Sequence, residues 1–555
     1  MTDAAALPND ASAKTTTQKL GLMRPMVSAT GLTLASATFM LTAYNALMWA
    51  NAVVIFDSKP VLMIWYGVAV WSLTVLTVTF FGFRWLLRPA LAVLLIICAV
   101  ASYYQDNLGV LIDRDMIRNA MITTANESKH LMTPRFIYTT AIWGVLPAVF
   151  VFWVRIKPTP ILRNLLTWGV TCVASLALLL GALFVDFKAI SATFREHNEL
   201  VGSYQPGATI AALHKYARQE LRGRNVVVAP LGRDAHKGPF LAAAKKPVLM
   251  VLFMGETARA QNWELNGYAR DTTPELRKHD VINYTDVSTC GTSTAVSLPC
   301  MYSNLTKAGY SHQGQLASEN LFDVLNHAKL HPTWLDNQTG DQNIGKRIGY
   351  KTLTVTSDPA ACPRGECTDA VFLPRIKAAM DSITEDTVLV LHMIGNHGPA
   401  YYMRYPEGFG AFKPACKTAE FANCTTEEIV NAYDNALMFT DHVLASTIDM
   451  MQDQDRVIPA MFYVSDHGES LGENGLYLHA APAFMAPDVQ THVPMVMWMS
   501  DAYQKTLGLD PACIARRSHD AISHDVYFHT VLGLLNVVTS VYNPTLDLTA
   551  GCRTP

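Results

Sequence analysis

The sequence predicts two parts: a membrane α-helical domain of five transmembrane helices, followed by an α/β domain with a mostly parallel central sheet. Three observations predict this. Five long charge-free runs lie before residue 187 and no comparable run lies after it. From residue 247 onward, continuous apolar segments of strand length alternate with helical ones. Acid and imidazole side chains recur just past the ends of those apolar segments.

The charge-free runs cover residues 25–56, 60–83, 89–105, 136–154 and 164–185. Each reaches the roughly 17–25 residues that cross a bilayer as a helix. Residues 89–105 form the shortest run and the one most open to being buried or re-entrant. Orientation follows from the short connections. Lys14, Lys19 and Arg24 precede the first run, Arg84 and Arg88 follow the second, and Arg155, Lys157 and Arg163 follow the fourth. Positive residues favour the cytoplasmic side, so five spans place everything after Asp186 on the outer face. No cleavage-site pattern follows a short apolar core, so the first run reads as a retained anchor. The expected division is 1–187 for the five-helix domain with an outer loop at 106–135, 188–240 for bridging helices and linker, and 241–555 for the α/β domain.

The net charge of −3 gives no overall basicity, and no nucleic-acid partner is expected. A transporter or lipid receptor would carry ionisable residues inside its spans. These runs carry none.

Ten cysteines occur. Cys98 and Cys172 lie inside apolar runs and read as small packing residues. Six others form close pairs, Cys290/Cys300, Cys362/Cys367 and Cys416/Cys424, which in an oxidising compartment read as disulfide loops. No C-x2-C pair supports a zinc ribbon. Cys513 and Cys552 remain as a further pair.

Within the outer loop, "DRDMIRNAMITTANE" (113–127) has the spacing of an amphipathic helix at the membrane surface. "TIAALHKYARQELRGR" (209–224) predicts a bridging helix. "PVLMVLFM" (247–254), "TVLVLHMI" (387–394), "PAMFYVS" (459–465) and "VPMVMWM" (493–499) predict buried strands, and "VINYTDV" (281–287) a further extended segment. Helical stretches such as "NLFDVLNHA" and "EEIVNAYDNALMFTDHVLASTIDMMQ" lie between them, which is the rhythm of a parallel sheet covered by helices.

Open α/β sheets bind ligands beyond the carboxyl ends of their strands. There the sequence places Glu256 in "GETARA", His397 in "GNHGPAYY", and Asp466, His467 and His479 in "DHGESLGENGLYLH". Carboxylate oxygen and imidazole nitrogen together suit Zn2+, with Mn2+ a weaker fit. His392 lies within its strand and reads as a packing or supporting residue. A hydroxyl on zinc is acidified as bound water is, from about 15.7 to about 7, so a Ser or Thr held there becomes a nucleophile. Ser288, Thr289, Thr292, Ser293, Thr294 and Ser297 all lie in "STCGTSTAVSLPC" (288–300), and residue type alone does not choose among them.

"GETARA", "CGTSTAVSLPCM", "GNHGPAY", "YDNAL" and "VSDHGESLGENGLYLHA" resemble the phosphoethanolamine transferases that modify lipid A, including the mobile colistin resistance enzymes. The resemblance implies an alkaline-phosphatase-like outer domain in the periplasm and a bacterial inner-membrane location. It implies transfer of phosphoethanolamine from phosphatidylethanolamine, the donor, to a lipid A phosphate, the acceptor, and with it polymyxin resistance. It implies Thr294 as the nucleophile, Glu256, Thr294, Asp466 and His467 as zinc ligands, and His397 and His479 on the transferred phosphate. One tightly held zinc is expected, with a second, weaker one left open. "MIRNAMITTANE" resembles the family's membrane-proximal substrate motif, which implies Asn119, Thr123 and Glu127 as lipid contacts. A monomer is expected. The family's lysine-containing, cysteine-bracketed stretch is replaced here by "DNQTGDQNIGKR" (336–347), where Lys346 is the candidate lysine. A sulfatase needs C-x-P-x-R, and "CPRGE" at Cys362 has its proline one place early. The alternative function is a metal-dependent phosphodiesterase of the same fold, or a transferase acting on another envelope glycan.

Overall fold

The computed structural model describes residues 24–554 except 84, 224, 225 and 357. Lys14, Lys19 and Arg84, used above for orientation, lie outside the described residues.

The first apolar run does not form one straight span. It forms α1 (Ala29–Ala43) and α2 (Ala46–Ile55), bent by 69°. The cause is Asn45, a polar residue inside an apolar run. Its amide donates to the carbonyls of Met40 and Gln205 at 3.0 Å each, and its oxygen accepts the Gln205 amide at 2.7 Å. Next come α3 (Pro60–Phe80), α4 (Leu87–Leu108), the short α5 (Arg114–Ile122) and α6 (Ala125–Leu131), α7 (Pro134–Trp153) and α8 (Ile161–Phe184). Among them α3, α4, α7 and α8 are each long and apolar enough to cross a membrane, and the bent pair makes a fifth crossing if it counts as one. Helices suit this setting because every interior backbone group is bonded within the segment. The run read as most open to re-entry is therefore a full 22-residue helix, α4, and the break falls in the first run instead. Residues Met26–Val27 pair in parallel with Arg155–Ile156. This brings Arg24, Arg155 and Lys157 to one face, as the charge distribution requires.

The predicted outer-loop helix is two helices. Thr123 ends the first and Thr124 caps the second through a capping box, its hydroxyl accepting from the Glu127 amide while Glu127 accepts from the Thr124 amide. The bridging helix is α9 (Gly207–Gly223), which packs on α5.

The α/β domain is built on β1 (Val248–Gly255), β2 (Ile282–Tyr284), β3 (Thr333–Asp336), β4 (Tyr350–Thr352), β5 (Thr387–His392), β6 (Ile458–Ser465) and β7 (Met495–Met499). Their order in the sheet is β2-β7-β6-β1-β5-β3-β4. The run β6-β1-β5-β3-β4 is parallel, and β7 lies antiparallel between β6 and β2. Every residue of β1 and β6 is buried. Alternate residues of β1 enter different cores: Val248, Met250, Leu252 and Met254 one, Leu249, Val251 and Phe253 the other. Both faces are thus covered, as a parallel sheet requires. Register aligns the strand ends: Gly255 opposes Ser465, and His392 opposes both Met254 and Asp336. The helices that matter for the site are α10 (Thr294–Met301) and α11 (Thr426–Gln452).

All four cysteine pairs form: Cys290–Cys300, Cys362–Cys367, Cys416–Cys424 and Cys513–Cys552. Cys98 and Cys172 are free.

Candidate active site

Glu256 follows β1 directly, Asp466 and His467 follow β6, and these two strands are neighbours. One oxygen from each carboxylate and one nitrogen of His467 therefore fall within 4.8 Å of one another. All three side chains are buried. Asp466 Oδ1 accepts from the amides of Thr257 at 3.3 Å and His467 at 2.8 Å. Its Oδ2 and Glu256 Oε1 are buried with no hydrogen-bond partner. Burial, and then the charge of Asp466, push the Glu256 carboxyl well above the usual range. Orphaned buried carboxylate oxygens are costly unless a cation neutralises them. His467 donates from Nδ1 to the Gly468 carbonyl at 2.9 Å, which turns Nε2 toward the carboxylates as a free lone pair. Hard oxygens with one imidazole nitrogen fit a divalent metal, zinc above all.

Backbone geometry is strained here. Thr257 has φ 51°, rare for a β-branched residue, and its amide is thereby aimed at Asp466. Gly395 has φ 47°, and a Cβ there would lie 2.5 Å from the Glu256 carbonyl oxygen. Glycine lets the chain after β5 pass against Glu256, where the Asn396 amide bonds that carbonyl at 3.0 Å.

Among the six hydroxyls, the fold singles out one. Thr294 is the first residue of α10, and its hydroxyl donates to Glu256 Oε2 at 2.9 Å and lies 3.3 Å from His467 Nε2. Ser288 and Thr292 donate to the carbonyls of Ile522 and Ala481, and Ser297 accepts from the Gly291 amide. At a helix start, Thr294 Oγ also sits where developing negative charge is favoured.

The wall opposite the strands comes from the membrane side. Glu127, on α6, meets His397 Nε2 at 2.8 Å. Burial opposes the charge of Glu127, but His397, the Thr124 amide and Arg404 together hold its carboxyl at about 2. Burial likewise opposes charge on His397, yet Glu127 outweighs it and the imidazole stays above its ordinary value. His479 behaves oppositely. Burial and His397 push it down to about 3. It donates from Nδ1 to Glu469 at 2.9 Å, while Nε2 lies 3.5 Å from the Asn119 amide on α5.

Comparison with known proteins is decisive at this point. Residues 249–537 match the family profile described as Sulfatase, and residues 70–221 match Phosphoethanolamine transferase EptA/EptB. Phosphoethanolamine transferase EptA of Escherichia coli K12 is 38% identical over 505 residues, covering 90% of this chain and 91% of that one. The chain belongs to the lipid A phosphoethanolamine transferase family. Phosphatidylethanolamine transferase Mcr-1 of Escherichia coli is 36% identical over 481 residues, covering 84% of this chain and 86% of that one. Among solved structures, the integral membrane lipooligosaccharide phosphoethanolamine transferase A of Neisseria meningitidis superposes with a TM-score of 0.89 at 32% identity, covering 96% of this chain and all of the other. The architecture of a membrane helical domain plus a sulfatase-like α/β domain is shared with that family member. The Sulfatase match reflects this shared fold. Cys362, the residue nearest a sulfatase motif, is consumed in a disulfide with Cys367.

The structure brings Glu256, Thr294, Asp466 and His467 together, and places His397, His479, Asn119 and Glu127 around them. Thr123 is the exception in the family's membrane-proximal motif: its hydroxyl donates to the Asn119 carbonyl within its own helix. Lys346 is exposed, and the neighbouring Arg347 is taken by Asp323. Sequence reasoning named His392 as a packing or supporting residue and missed the others. Asp336, at the end of β3, takes His392 Nδ1 at 2.7 Å, and His392 Nε2 faces Glu256 at 3.9 Å. Asp369 accepts the amides of Ile394 and Gly395 and so braces the glycine turn. Arg404, buried, donates to the His397 carbonyl at 2.7 Å and pairs with Glu366 at 2.8 Å. Glu366 in turn meets His130 of α6 at 2.5 Å. An acidic residue ending a strand was the available signal for Asp336. Arg404 and Glu366 carry none.

Proposed function

We propose that this chain transfers phosphoethanolamine from phosphatidylethanolamine to a phosphate of lipid A through a phosphothreonine intermediate on Thr294. One observation carries the reading: the Thr294 hydroxyl sits between Glu256 and His467, at the mouth of a carboxylate–imidazole cluster that faces a membrane-proximal helix. The names of the relatives supply the donor and acceptor classes. The chain resides in the bacterial inner membrane as a monomer, its 241–555 domain in the periplasm, behind the 1–187 membrane domain and the 188–240 bridge.

Glu256, Thr294, Asp466 and His467 would hold a zinc ion, which when bound supplies positive charge at the nucleophile and the reacting phosphoryl group. A second, weaker zinc belongs to the same proposal. Thr294 Oγ attacks phosphorus, its proton passing along the existing hydrogen bond to Glu256 Oε2. The bond from phosphorus to the glycerol oxygen breaks. His397 and His479 face the transferred phosphate. His397, paired with Glu127, holds a proton and has a buried, unpartnered Nδ1, so it protonates the departing diacylglycerol. His479, kept neutral, orients through Glu469 and Asn119. An oxygen of the lipid A phosphate then attacks phosphothreonine. The attacking P–OH gives its proton to His397 and so restores that acid, the Thr294–phosphorus bond breaks, and the proton on Glu256 returns to Oγ. Two in-line displacements give retention at phosphorus. The product carries a cation beside an anion, so the outer surface attracts polycations less and cells resist polymyxins.

The test is mass spectrometry of the protein incubated with phosphatidylethanolamine and no acceptor. A phosphoethanolamine adduct on Thr294 is expected, and none in Thr294→Ala, while Thr294→Ser keeps partial turnover. Full activity in Thr294→Ala, or inversion at a chiral phosphorus, rules the two-step scheme out. Mass spectrometry of lipid A from cells with and without the protein separates this function from a phosphodiesterase.

A further inference from the structure

A second cavity, of about 460 Å3, lies between α5, α9 and residues 310–313. Five cations line it, Arg114, Arg118, Lys215, Arg218 and Arg222, against a single carboxylate, Asp115. Arg114 is already spent on Asp115, at 2.7 Å. The side chains of Arg118, Lys215, Arg218 and Arg222 make no hydrogen bond or ion pair with another described residue.

Arg118 decides the matter. The residue is 7% exposed and its guanidinium has no ion-pair partner, so an anion in the cavity would be its counter-charge. Three other polar atoms of the same lining are shut off from solvent. The Tyr310 hydroxyl, His312 Nδ1 and Gln219 Oε1 are buried with no hydrogen-bond partner. Tyr310 keeps its proton at any ordinary pH, because burial raises it to about 12. Four uncompensated cations and the Tyr310 donor converge on one space, which suits an oxyanion.

The cavity is placed to act on the same reaction. Val296, two residues after Thr294, lines it, and α5 packs on α10. Arg118 neighbours Asn119, whose amide reaches His479. A ligand held here lies against the helix that begins at Thr294. A zwitterionic donor headgroup has no net charge to offer such a cavity. A phosphorylated glycolipid acceptor with more than one anionic group does.

We propose that this cavity binds a second phosphate of the acceptor lipid, while the phosphate to be modified faces Thr294. The proposal rests on the acceptor reading given above. The cavity thereby selects acceptors that carry two anions.

The experiment uses the full chain in nanodiscs, with phosphatidylethanolamine as donor and bisphosphorylated or monophosphorylated lipid A as acceptor. In Arg118→Gln the KM for the bisphosphorylated acceptor is expected to rise about tenfold, with kcat within twofold. The KM for the monophosphorylated acceptor is expected to match that of the unaltered protein. An unchanged KM, or an equal rise with both acceptors, overturns the proposal. If Arg118→Gln fails to fold, the double variant Arg218→Gln/Arg222→Gln at the exposed mouth gives the same comparison. Binding is read separately, by titrating bisphosphorylated lipid A into Thr294→Ala protein with and without Arg118→Gln. A tenfold weakening supports the site even if the unaltered protein transfers to neither acceptor, a result that would sink the transfer reading alone. No weakening overturns it. Displacement by phosphatidylglycerol at equal mole fraction, or by inorganic phosphate at equal concentration, would mean that any anion suffices and also overturns it.

Discussion

Arg404→Gln is the perturbation from which the structure allows most to be worked out. Arg404 is a fully enclosed cation with two obligations, the His397 carbonyl and the Glu366 carboxylate. Glu366 also takes His130 of α6, so the guanidinium joins the α/β domain to the membrane-proximal helix. Removing one partner of a buried pair costs about 3–5 kcal/mol, because the other charge is left uncompensated. Against a domain stability of roughly 5–15 kcal/mol this is large, and an apparent Tm lower by roughly 10 °C is expected. A double-mutant cycle with Glu366→Gln should give less than the sum of the two single losses. Catalysis supplies the sharper signature. Arg404 lowers the His397 pKa through its charge, whereas Glu127 raises it. Arg404→Gln should therefore move the alkaline limb of the kcat/KM profile to higher pH, even as the protein becomes less stable. A general loss of structure would reduce activity at every pH without moving that limb. An unmoved limb, or additive stability losses in the cycle, would refute the reasoning.

Three further predictions follow from the same geometry. Glu127→Gln removes the anion that holds His397 above its ordinary value, so the alkaline limb should move to lower pH, opposite to Arg404→Gln; a shift upward contradicts the pairing. In the unaltered protein the stabilisation from a raised His397 is complete below its unfolded value of about 6.5 and lost as pH rises through the folded one. Asp466→Ala should lose bound zinc and activity together by elemental analysis and transfer assay, and normal zinc content would remove Asp466 from the ligand set. Asp336→Asn weakens the hold on His392 and hence the support of Glu256; a fall of about 10–100-fold in metal affinity or activity is expected, as for other residues that orient ligands, and an unaffected enzyme would show that the contact is only packing.

Long apolar strands were legible because burial on both sheet faces leaves an uninterrupted apolar run, as in β1 and β6. Short ones were not. β3 is four residues and β4 is three exposed ones, so neither produces a pattern, and Asp336 was missed with its strand. The split between α5 and α6 could have been read from "TANE", whose threonine and glutamate stand three apart as a capping box requires. The break at Asn45 was less accessible, since its partner Gln205 lies 160 residues away. The metal-side acids and His467 were legible because topology places strand ends together. The proposed nucleophile was not, on residue type alone. Six hydroxyls of equal chemistry are separated only when α10 starts at Thr294 and turns that one toward Glu256.

The site's division between two parts of the chain fits the proposed lipid substrates. The α/β domain supplies Glu256, Thr294, Asp466 and His467, an acid-rich cluster on rigid strand ends and one helix start. The segment between α4 and α7 supplies Asn119, Glu127 and His130, and with α9 most of the cationic cavity. Glu127 raises the His397 pKa, so in the proposed mechanism the proton for a departing alkoxide depends on a residue of the segment between α4 and α7. Two disulfide loops secure that junction. Cys290–Cys300 encloses the start of α10, and Cys362–Cys367 carries Glu366 and the Gly365 carbonyl, which bonds Asn126 at 3.2 Å. A soluble substrate would need none of this. A substrate whose acyl chains stay in the bilayer can present its headgroup only near the membrane surface, and α5 and α6 are the elements that bring both the acid and the cations there.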